Sequence, residues 1–325
     1  MPKGRFLILL IWLSLLFSDN VEESERVDFK SANPFSFYHI VTELEEQEEQ
    51  DAYGILRMPE QHNPALPVPL VMGVNGSKNW ADHHLEYMQM FREIGFATFE
   101  LQSFNSRNVK STVGEQISVT TAMMILDAYR ALDALASDSR IDIGKVAITG
   151  WSLGGGVALF SAWGPLIKAI SPSIDFSAHL SFYPPCLVDM ELMQFSSSPI
   201  HILIGELDDW VPASACTNLL DKLNESGLPH NIDITIYEDA HHSFDREMEL
   251  TTMEHGYTLG DCFFPMNDQG ALFLSEFWSI PINSPTMQKL ALLTCAGRGP
   301  TMGGNDEARE LSFKFAANFF INHLK

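Results

Sequence analysis

The feature that most constrains the fold is a glycine-rich motif at a strand–helix junction, Gly150-Trp151-Ser152-Leu153-Gly154-Gly155-Gly156. The apolar run at 145–150 predicts a strand, and an apolar helix is predicted to begin at Leu153. Glycines flank Ser152 because so tight a turn leaves little room for larger side chains. A Gly-x-Ser-x-Gly motif in this strand–turn–helix setting is typical of a nucleophile elbow, which lifts a serine hydroxyl clear of the sheet. A chance Gly-Ser-Gly turn is the alternative.

The chain around this motif alternates short apolar runs with helical periodicities. The runs predict strands at 53–58, 68–74, 97–101, 145–150, 179–183, 199–204 and 232–237. Helical spacing of apolar residues predicts a helix at 117–135, and Asn305 is placed to cap a last helix. The alternation predicts an α/β fold with a mostly parallel central sheet flanked by helices. Residues 246–300 have no clear period and are predicted to be an irregular insertion near the active site.

Two later loops carry the residues that would activate a serine. A serine needs a base and an orienting acid, because its free hydroxyl is too weakly acidic to attack at neutral pH. The strand at 199–204 leads to Asp208 and Asp209, and the strand at 232–237 leads to His241 and His242. Both loops follow the carboxyl ends of strands, where open α/β sheets place their sites. The residues themselves leave open which member of each pair acts.

The chain resembles the dienelactone hydrolase family of α/β hydrolases, and more loosely the prolyl oligopeptidase-like esterases, from about Leu70 to Lys325. The resemblance rests on the serine motif, on Ser106-Arg107, on Gly205-Glu206-Leu207-Asp208-Asp209-Trp210-Val211-Pro212 and on His242-Ser243-Phe244. It implies the α/β-hydrolase fold, with Asp208, four residues before the proline, as the acid. His242, two residues before the phenylalanine, is implied as the base. The founding members use cysteine where this chain has Ser152, which favours ordinary esters over lactones.

Further site residues are predicted around the serine. The amide of Leu153 is expected to form half of an oxyanion hole, with the amide of Ser77, after the strand at 68–74, as the other half. Gly76 beside it would otherwise serve only to allow a tight connection. Trp151, Phe104 and Trp210 are candidates for the acyl pocket or for the core. Arg107 is a candidate for binding a substrate carboxylate, with a structural ion pair as the alternative.

The first residues are predicted to direct export. Lys3 and Arg5 precede an unbroken apolar run at 6–17, which is too short to span a bilayer but suits a signal peptide. Residues 1–20 are therefore predicted to be a signal peptide, with an uncleaved membrane anchor as the alternative. Residues 21–325 are predicted to form a single α/β-hydrolase domain, with 246–300 as its insertion. The expected location is periplasmic or secreted.

The four cysteines suggest two disulfides. An even count in an exported protein favours disulfide bonds, and buried free thiols are the alternative. Cys186 and Cys216 follow consecutive strands, which usually lie side by side, whereas Cys262 and Cys295 both fall within the insertion. We therefore predict the pairs Cys186–Cys216 and Cys262–Cys295. No two cysteines have Cys-x-x-Cys spacing, so a zinc site or a thioredoxin-type redox motif has no support.

Charge excludes some partners. The formal net charge is -22, from 20 Lys and Arg against 42 Asp and Glu, which disfavours nucleic acid and anionic lipid. The expected partner is a small-molecule ester, hydrolysed through an acyl-enzyme by Ser152, His242 and Asp208, with no metal or organic cofactor and no stable membrane partner after signal cleavage. Alternatives are a serine peptidase of the prolyl oligopeptidase-like type, a lactone hydrolase and a catalytically silent binding protein. The oligomeric state is not readable.

Overall fold

Eight strands form one central sheet in the computed structural model, which describes residues 24–170, 175–274 and 277–325. The predicted signal peptide at 1–20 lies outside the described residues. The strands are β1 (Ser24–Ala32), β2 (Glu49–Arg57), β3 (Val68–Val74), β4 (Ala97–Leu101), β5 (Ile141–Trp151), β6 (Ala178–Phe182), β7 (Ile200–Gly205) and β8 (Ile232–Tyr237). Their order is β1-β2-β4-β3-β5-β6-β7-β8. β2 is antiparallel to both of its neighbours, and the other pairs are parallel. The predicted, mostly parallel sheet is confirmed.

Helices cover the sheet in two groups. The helices are α1 (Phe37–Thr42), α2 (Asp82–Glu93), α3 (Ser103–Ser106), α4 (Thr121–Leu135), α5 (Leu153–Phe160), α6 (Gly164–Ile170), α7 (Ala213–Ser226), α8 (Pro285–Cys295) and α9 (Asp306–Leu324), with a 3₁₀ turn at Leu44–Glu46. One group includes α4 and α5, which contact each other, and the other includes α2 and α9. Strands covered by helices can be continuously apolar, and all five residues of β4 are buried. No helix in the described part of the chain is long and apolar enough to span a membrane.

The sequence prediction missed the edge strand β1, whereas the strand predicted at 53–58 overlaps β2. In β1 the exposed charges of Arg26, Asp28 and Lys30 alternate with the partly buried Val27 and Phe29. Such alternation is typical of an edge strand with one face in solvent, but two apolar residues give a weak signal. The acidic run at 43–51 contains the 3₁₀ turn and the start of β2.

The insertion at 246–300 is more ordered than predicted. It contains α8, which begins at Pro285 with the Ser284 side chain as its N-cap. Short strand pairs tie the segment to itself and to the rest of the fold: Thr251–Thr252 with Thr301–Met302, Tyr257–Thr258 with Gly297–Arg298, Phe264–Met266 with Val188–Met190, and Phe273–Leu274 with Phe277–Pro281. Strands of two to five residues are too short to give a periodic signal.

Two disulfides join the four cysteines in the pairing that the sequence order favours. Cys186 bonds Cys216, with Cα atoms 4.9 Å apart, and Cys262 bonds Cys295, with Cα atoms 5.0 Å apart. The first bridge connects the loop after β6 to α7. The second joins two points of the insertion and so fixes the end of α8. Two such bonds indicate an oxidising environment.

Candidate active site

The turn between β5 and α5 holds Ser152 in a strained conformation. Its backbone has φ 55° and ψ -114°, a region that residues with a Cβ rarely adopt. Close packing on both sides explains the flanking glycines. A Cβ on Gly150 would lie 2.1 Å from the carbonyl oxygen of Gly154, and a Cβ on Gly154 would lie 2.2 Å from that of Val74. The turn therefore aims the Ser152 side chain away from the sheet edge, as a nucleophile elbow does.

Ser152, His242 and Asp208 form a continuous line of hydrogen bonds. His242 Nε2 lies 3.0 Å from Ser152 Oγ, and His242 Nδ1 lies 2.7 Å from Asp208 Oδ2. The carboxylate of Asp208 accepts the Nδ1–H bond, which leaves Nε2 free to accept the serine proton. His242 and Asp208 are only 2% and 4% exposed. Burial at these distances strengthens both hydrogen bonds.

The backbone after β7 fixes the acid. Asp208 Oδ1 accepts hydrogen bonds from the N–H groups of Trp210, at 3.0 Å, and Val211, at 2.9 Å. These amides compensate the buried charge and leave Oδ2 directed at the imidazole. The neighbours Asp209 and His241 both bond Thr301 instead. The structure therefore joins Asp208 and His242, rather than Asp209 and His241, to Ser152.

The two predicted oxyanion-hole residues lie on either side of Ser152. Leu153 is the first residue of α5, where helix N–H groups have no intrahelical acceptor and the helix dipole is positive. Ser77 lines the same pocket as Ser152. Gly76 packs against the elbow so closely that its missing Cβ would lie 3.0 Å from the Trp151 carbonyl oxygen. The loop that carries Ser77 is thus held beside the serine.

Two substrate-binding candidates, Phe104 and Arg107, lie away from the described lining of the serine pocket. Phe104 is fully buried in the main core. Arg107 forms a buried, two-pronged ion pair with Asp127, with its guanidinium nitrogens 2.6 and 3.1 Å from the carboxylate oxygens. Their contacts match the alternatives that the sequence left open, a core position for Phe104 and a structural ion pair for Arg107, because the loop after β4 packs inwards onto α4. Trp151 does line the pocket, although its ring stacks on His84, 4.5 Å away between centroids.

Two charged residues of the pocket, Lys78 and Arg246, belong to none of the sequence motifs. Lys78 and Arg246 both line it and make it locally cationic, although the chain as a whole is strongly acidic. Partial burial and the nearby Arg246 lower the pKa of Lys78. The Nε of Arg246 is buried with no hydrogen-bond partner in the described part of the chain. Their positions, one residue after Ser77 and four after His242, are the only signals that could have suggested them.

Tyr183 and Asp245 form a buried hydrogen-bonded pair next to His242. The Tyr183 ring meets the His242 ring edge-on at 4.7 Å, and the Tyr183 hydroxyl donates to Asp245 Oδ1 at 2.8 Å. His83 Nε2 lies 3.8 Å from the same oxygen. Burial raises the pKa of Asp245 to about 6, although the Tyr183 hydrogen bond opposes the shift. Burial, with the neighbouring His84, lowers the pKa of His83 below its ordinary value, which favours a neutral imidazole.

The pocket at Ser152 is narrow. Its volume is about 20 Å³, which is room for about one water molecule. The rings of Tyr183 and Trp210 enclose His242 on two sides, with Trp210 4.9 Å from it between centroids. Across residues 24–170, 175–274 and 277–325, no group of three or more His, Cys, Asp or Glu side chains could hold a metal ion.

The sheet order, the serine elbow and the carboxyl-edge loops define an α/β hydrolase. The sequence matches the dienelactone hydrolase family over residues 58–257, and the chain belongs to that family. The resemblance drawn from the motifs is confirmed. No curated protein matches this chain.

Solved structures share the fold at low sequence identity. A dienelactone hydrolase-like promiscuous phosphotriesterase from metagenomic libraries is 16% identical with a TM-score of 0.55, covering 93% of this chain and 99% of its own. A protein from Klebsiella pneumoniae assigned as a dienelactone hydrolase is 15% identical with a TM-score of 0.51, covering 68% and 89%. A Bacteroides ovatus protein assigned as a dipeptidyl aminopeptidase IV is 13% identical with a TM-score of 0.50, covering 69% of this chain and 34% of its own. At these identities the likeness is one of fold.

Proposed function

We propose that this hydrolase cleaves carboxylic esters through an acyl-enzyme on Ser152. The observation that carries the proposal is the hydrogen-bonded line from Ser152 Oγ through His242 to Asp208, with the serine on a strained elbow. A serine so placed is activated by its base, and the base is oriented by the buried carboxylate.

The reaction proceeds in two acyl transfers. His242 Nε2 takes the Ser152 proton as Oγ bonds to the ester carbonyl carbon, and the amides of Leu153 and Ser77 stabilise the oxyanion. The carbon–oxygen bond to the alcohol then breaks, and His242 gives its proton to the leaving alkoxide. A water molecule next loses a proton to His242 and attacks the acyl-enzyme. The acid leaves as Ser152 regains its proton.

The charge of the pocket supports a second candidate within the same chemistry. Lys78 and Arg246 line the pocket, so a lactone or ester that carries a carboxylate next to the reacting carbonyl would be attracted to it. No feature of the site favours an amide over an ester, and the peptidase alternative rests on shared chemistry alone. An ester, a carboxylated lactone and an aminoacyl amide assayed side by side would separate these substrates.

Export is part of the proposal. The apolar run at 6–17 suits a signal peptide at 1–20, and the two disulfides support an oxidising destination. Residues 21–325 would then be the mature hydrolase domain. N-terminal sequencing of protein recovered from the periplasm or medium tests this, and a retained residue 6–17 segment would contradict it.

The hydrolase assignment is tested with p-nitrophenyl esters and two serine variants. Ser152→Ala is expected to reduce kcat by about 10⁴-fold or more, because triad members act as a unit. Ser137→Ala, at an exposed serine, serves as the control and is expected to keep full activity. Retention of a tenth of the wild-type kcat by Ser152→Ala would contradict the assignment.

A further inference from the structure

A second cavity lies beside Leu153, the residue that follows Ser152. Its volume is about 200 Å³, ten times that of the pocket at Ser152. Fourteen of the nineteen described residues that line it are apolar and none is charged. We call it the apolar chamber. An apolar protein cavity of about 150 Å³ accommodates benzene, so this one has room for an apolar group of about six to eight carbons.

Three direct contacts link the lining of the apolar chamber to the lining of the catalytic pocket. Leu153 follows Ser152 directly and lines the chamber. Gln116 also lines it, and its Nε2 donates to the hydroxyl of Ser77, 3.4 Å away, in the catalytic pocket. Leu259, a third wall residue, donates its N–H at 3.0 Å to the carbonyl of Trp210. Three residues that line the chamber are therefore directly bonded to residues that line the catalytic pocket.

Much of the chamber is built outside the stretch that matches the family. Its roof comes from the insertion, where Leu272, Ile282 and Ala291 lie beyond residue 257, and one side comes from Phe35 and Phe37 before residue 58. The Cys262–Cys295 bridge holds the end of the roof helix α8. Ten of the nineteen described lining residues therefore come from segments outside the matched stretch.

We propose that the apolar chamber binds the acyl chain, about six to eight carbons long, of the ester attacked by Ser152. This inference rests on the proposed ester hydrolysis. The acyl side is assigned because the leaving alcohol must depart towards His242, which protonates it, whereas the chamber lies on the side of Leu153 and Gln116. The catalytic pocket alone has room for about one water molecule, so the chain needs space elsewhere.

The first test is the dependence of kcat/KM on chain length. For the wild type, kcat/KM is expected to rise at least tenfold from p-nitrophenyl acetate to the hexanoate, because each buried methylene adds favourable transfer energy. Lengthening the alcohol of simple alkyl acetates is expected to have a smaller effect. A flat acyl series, or a preference that follows the alcohol instead, would overturn the proposal.

The second test places a larger side chain in the chamber from helix α8. Ala291 is 1% exposed and lines the chamber, whereas Leu293 on the same helix is 79% exposed. Ala291→Phe is expected to lower kcat/KM for the hexanoate at least tenfold and to change that for the acetate less than twofold. Leu293→Phe, the matched control, should change neither. Equal losses on both esters in Ala291→Phe would overturn the proposal.

Two further experiments cover the cases of a misfolded variant and of an inactive wild type. If Ala291→Phe does not fold, Ala122→Leu fills the chamber from α4 and carries the same expectation. If the wild type cleaves no ester, the proposed function fails. Binding of 1-hexanol then tests separately whether the chamber takes up an apolar chain. A rise in wild-type Tm that is absent in the filled variant supports an apolar binding chamber, and no rise in either overturns it.

Discussion

The carboxylate of Asp209 accepts two hydrogen bonds from Thr301, one from its N–H at 2.8 Å and one from its Oγ1 at 2.9 Å. His241 Nδ1 lies 2.8 Å from the same hydroxyl. Asp209 and His241 thus anchor Thr301, directly after the insertion, while their neighbours Asp208 and His242 bond each other. Adjacent residues in each loop have separate tasks because their side chains point in different directions.

This division predicts opposite effects within each pair. Asp208→Asn and His242→Ala are expected to lower kcat by about 10⁴-fold or more, since each removes a member of the hydrogen-bonded line. Asp209→Asn and His241→Ala should change kcat less than tenfold, because neither residue bonds Ser152, and they should lower Tm, because Asp209→Asn weakens the bonds from Thr301 and His241→Ala removes one. Steady-state kinetics and thermal melts of the four variants check this. The reverse ranking would reassign the acid and the base.

The ion pair of Arg107 and Asp127 should support the fold and not the substrate. Both side chains are buried, at 6% and 0% exposure. Arg107→Met leaves a buried carboxylate unpaired, so unfolding free energy should fall by about 3–5 kcal/mol. KM should be unchanged. Arg140→Met, which breaks surface pairs with Glu25 and Asp138, is the control and should cost less. A raised KM in Arg107→Met with unchanged stability would restore its role in substrate binding.

The buried Asp245 should make stability depend on pH. Its pKa is raised by burial to about 6, so the folded state keeps a proton that the unfolded chain loses above about pH 4. Its contribution to stability therefore falls as pH rises from about 4 to 6, by up to about 3 kcal/mol. Asp245→Asn can still accept the Tyr183 hydrogen bond. The Tm of this variant minus that of the wild type should therefore increase from pH 4 to pH 8. A Tm difference that stays constant or decreases over this pH range would contradict this account.

The disulfides are expected to stabilise the fold by similar amounts. The bridges span sequence separations of 30 and 33 residues, so each contributes about 3–4 kcal/mol in the chain-entropy model. Replacing Cys186 and Cys216 by serine should also lower kcat, because α7 follows the Asp208 loop directly. Replacing Cys262 and Cys295 should weaken the preference for long acyl chains. Denaturant melts and ester kinetics measure both, and a double variant with wild-type stability would contradict the prediction.

The parts predicted from the sequence are those whose signal is local. The elbow and the strands at 68–74 and 97–101 match the structure because a buried strand and a tight turn each leave a mark in adjacent residues. The edge strand β1 was missed because its stability depends on pairing with β2, whose residues are distant in the sequence. The sequence left Arg107 open between substrate binding and a structural ion pair for the same kind of reason, since its partner Asp127 comes from another element. The cationic lining by Lys78 and Arg246 and the apolar chamber each bring together residues from several segments, and no local sequence pattern indicates them.

Covalent labelling at Ser152 tests the central claim most directly. The folded protein is treated with a fluorophosphonate, and peptide mapping by mass spectrometry locates the adduct. We predict one adduct per chain, on Ser152, formed at a rate that falls by orders of magnitude in His242→Ala and is unchanged in His241→Ala. An unlabelled folded protein, or an adduct on another residue, would contradict the account.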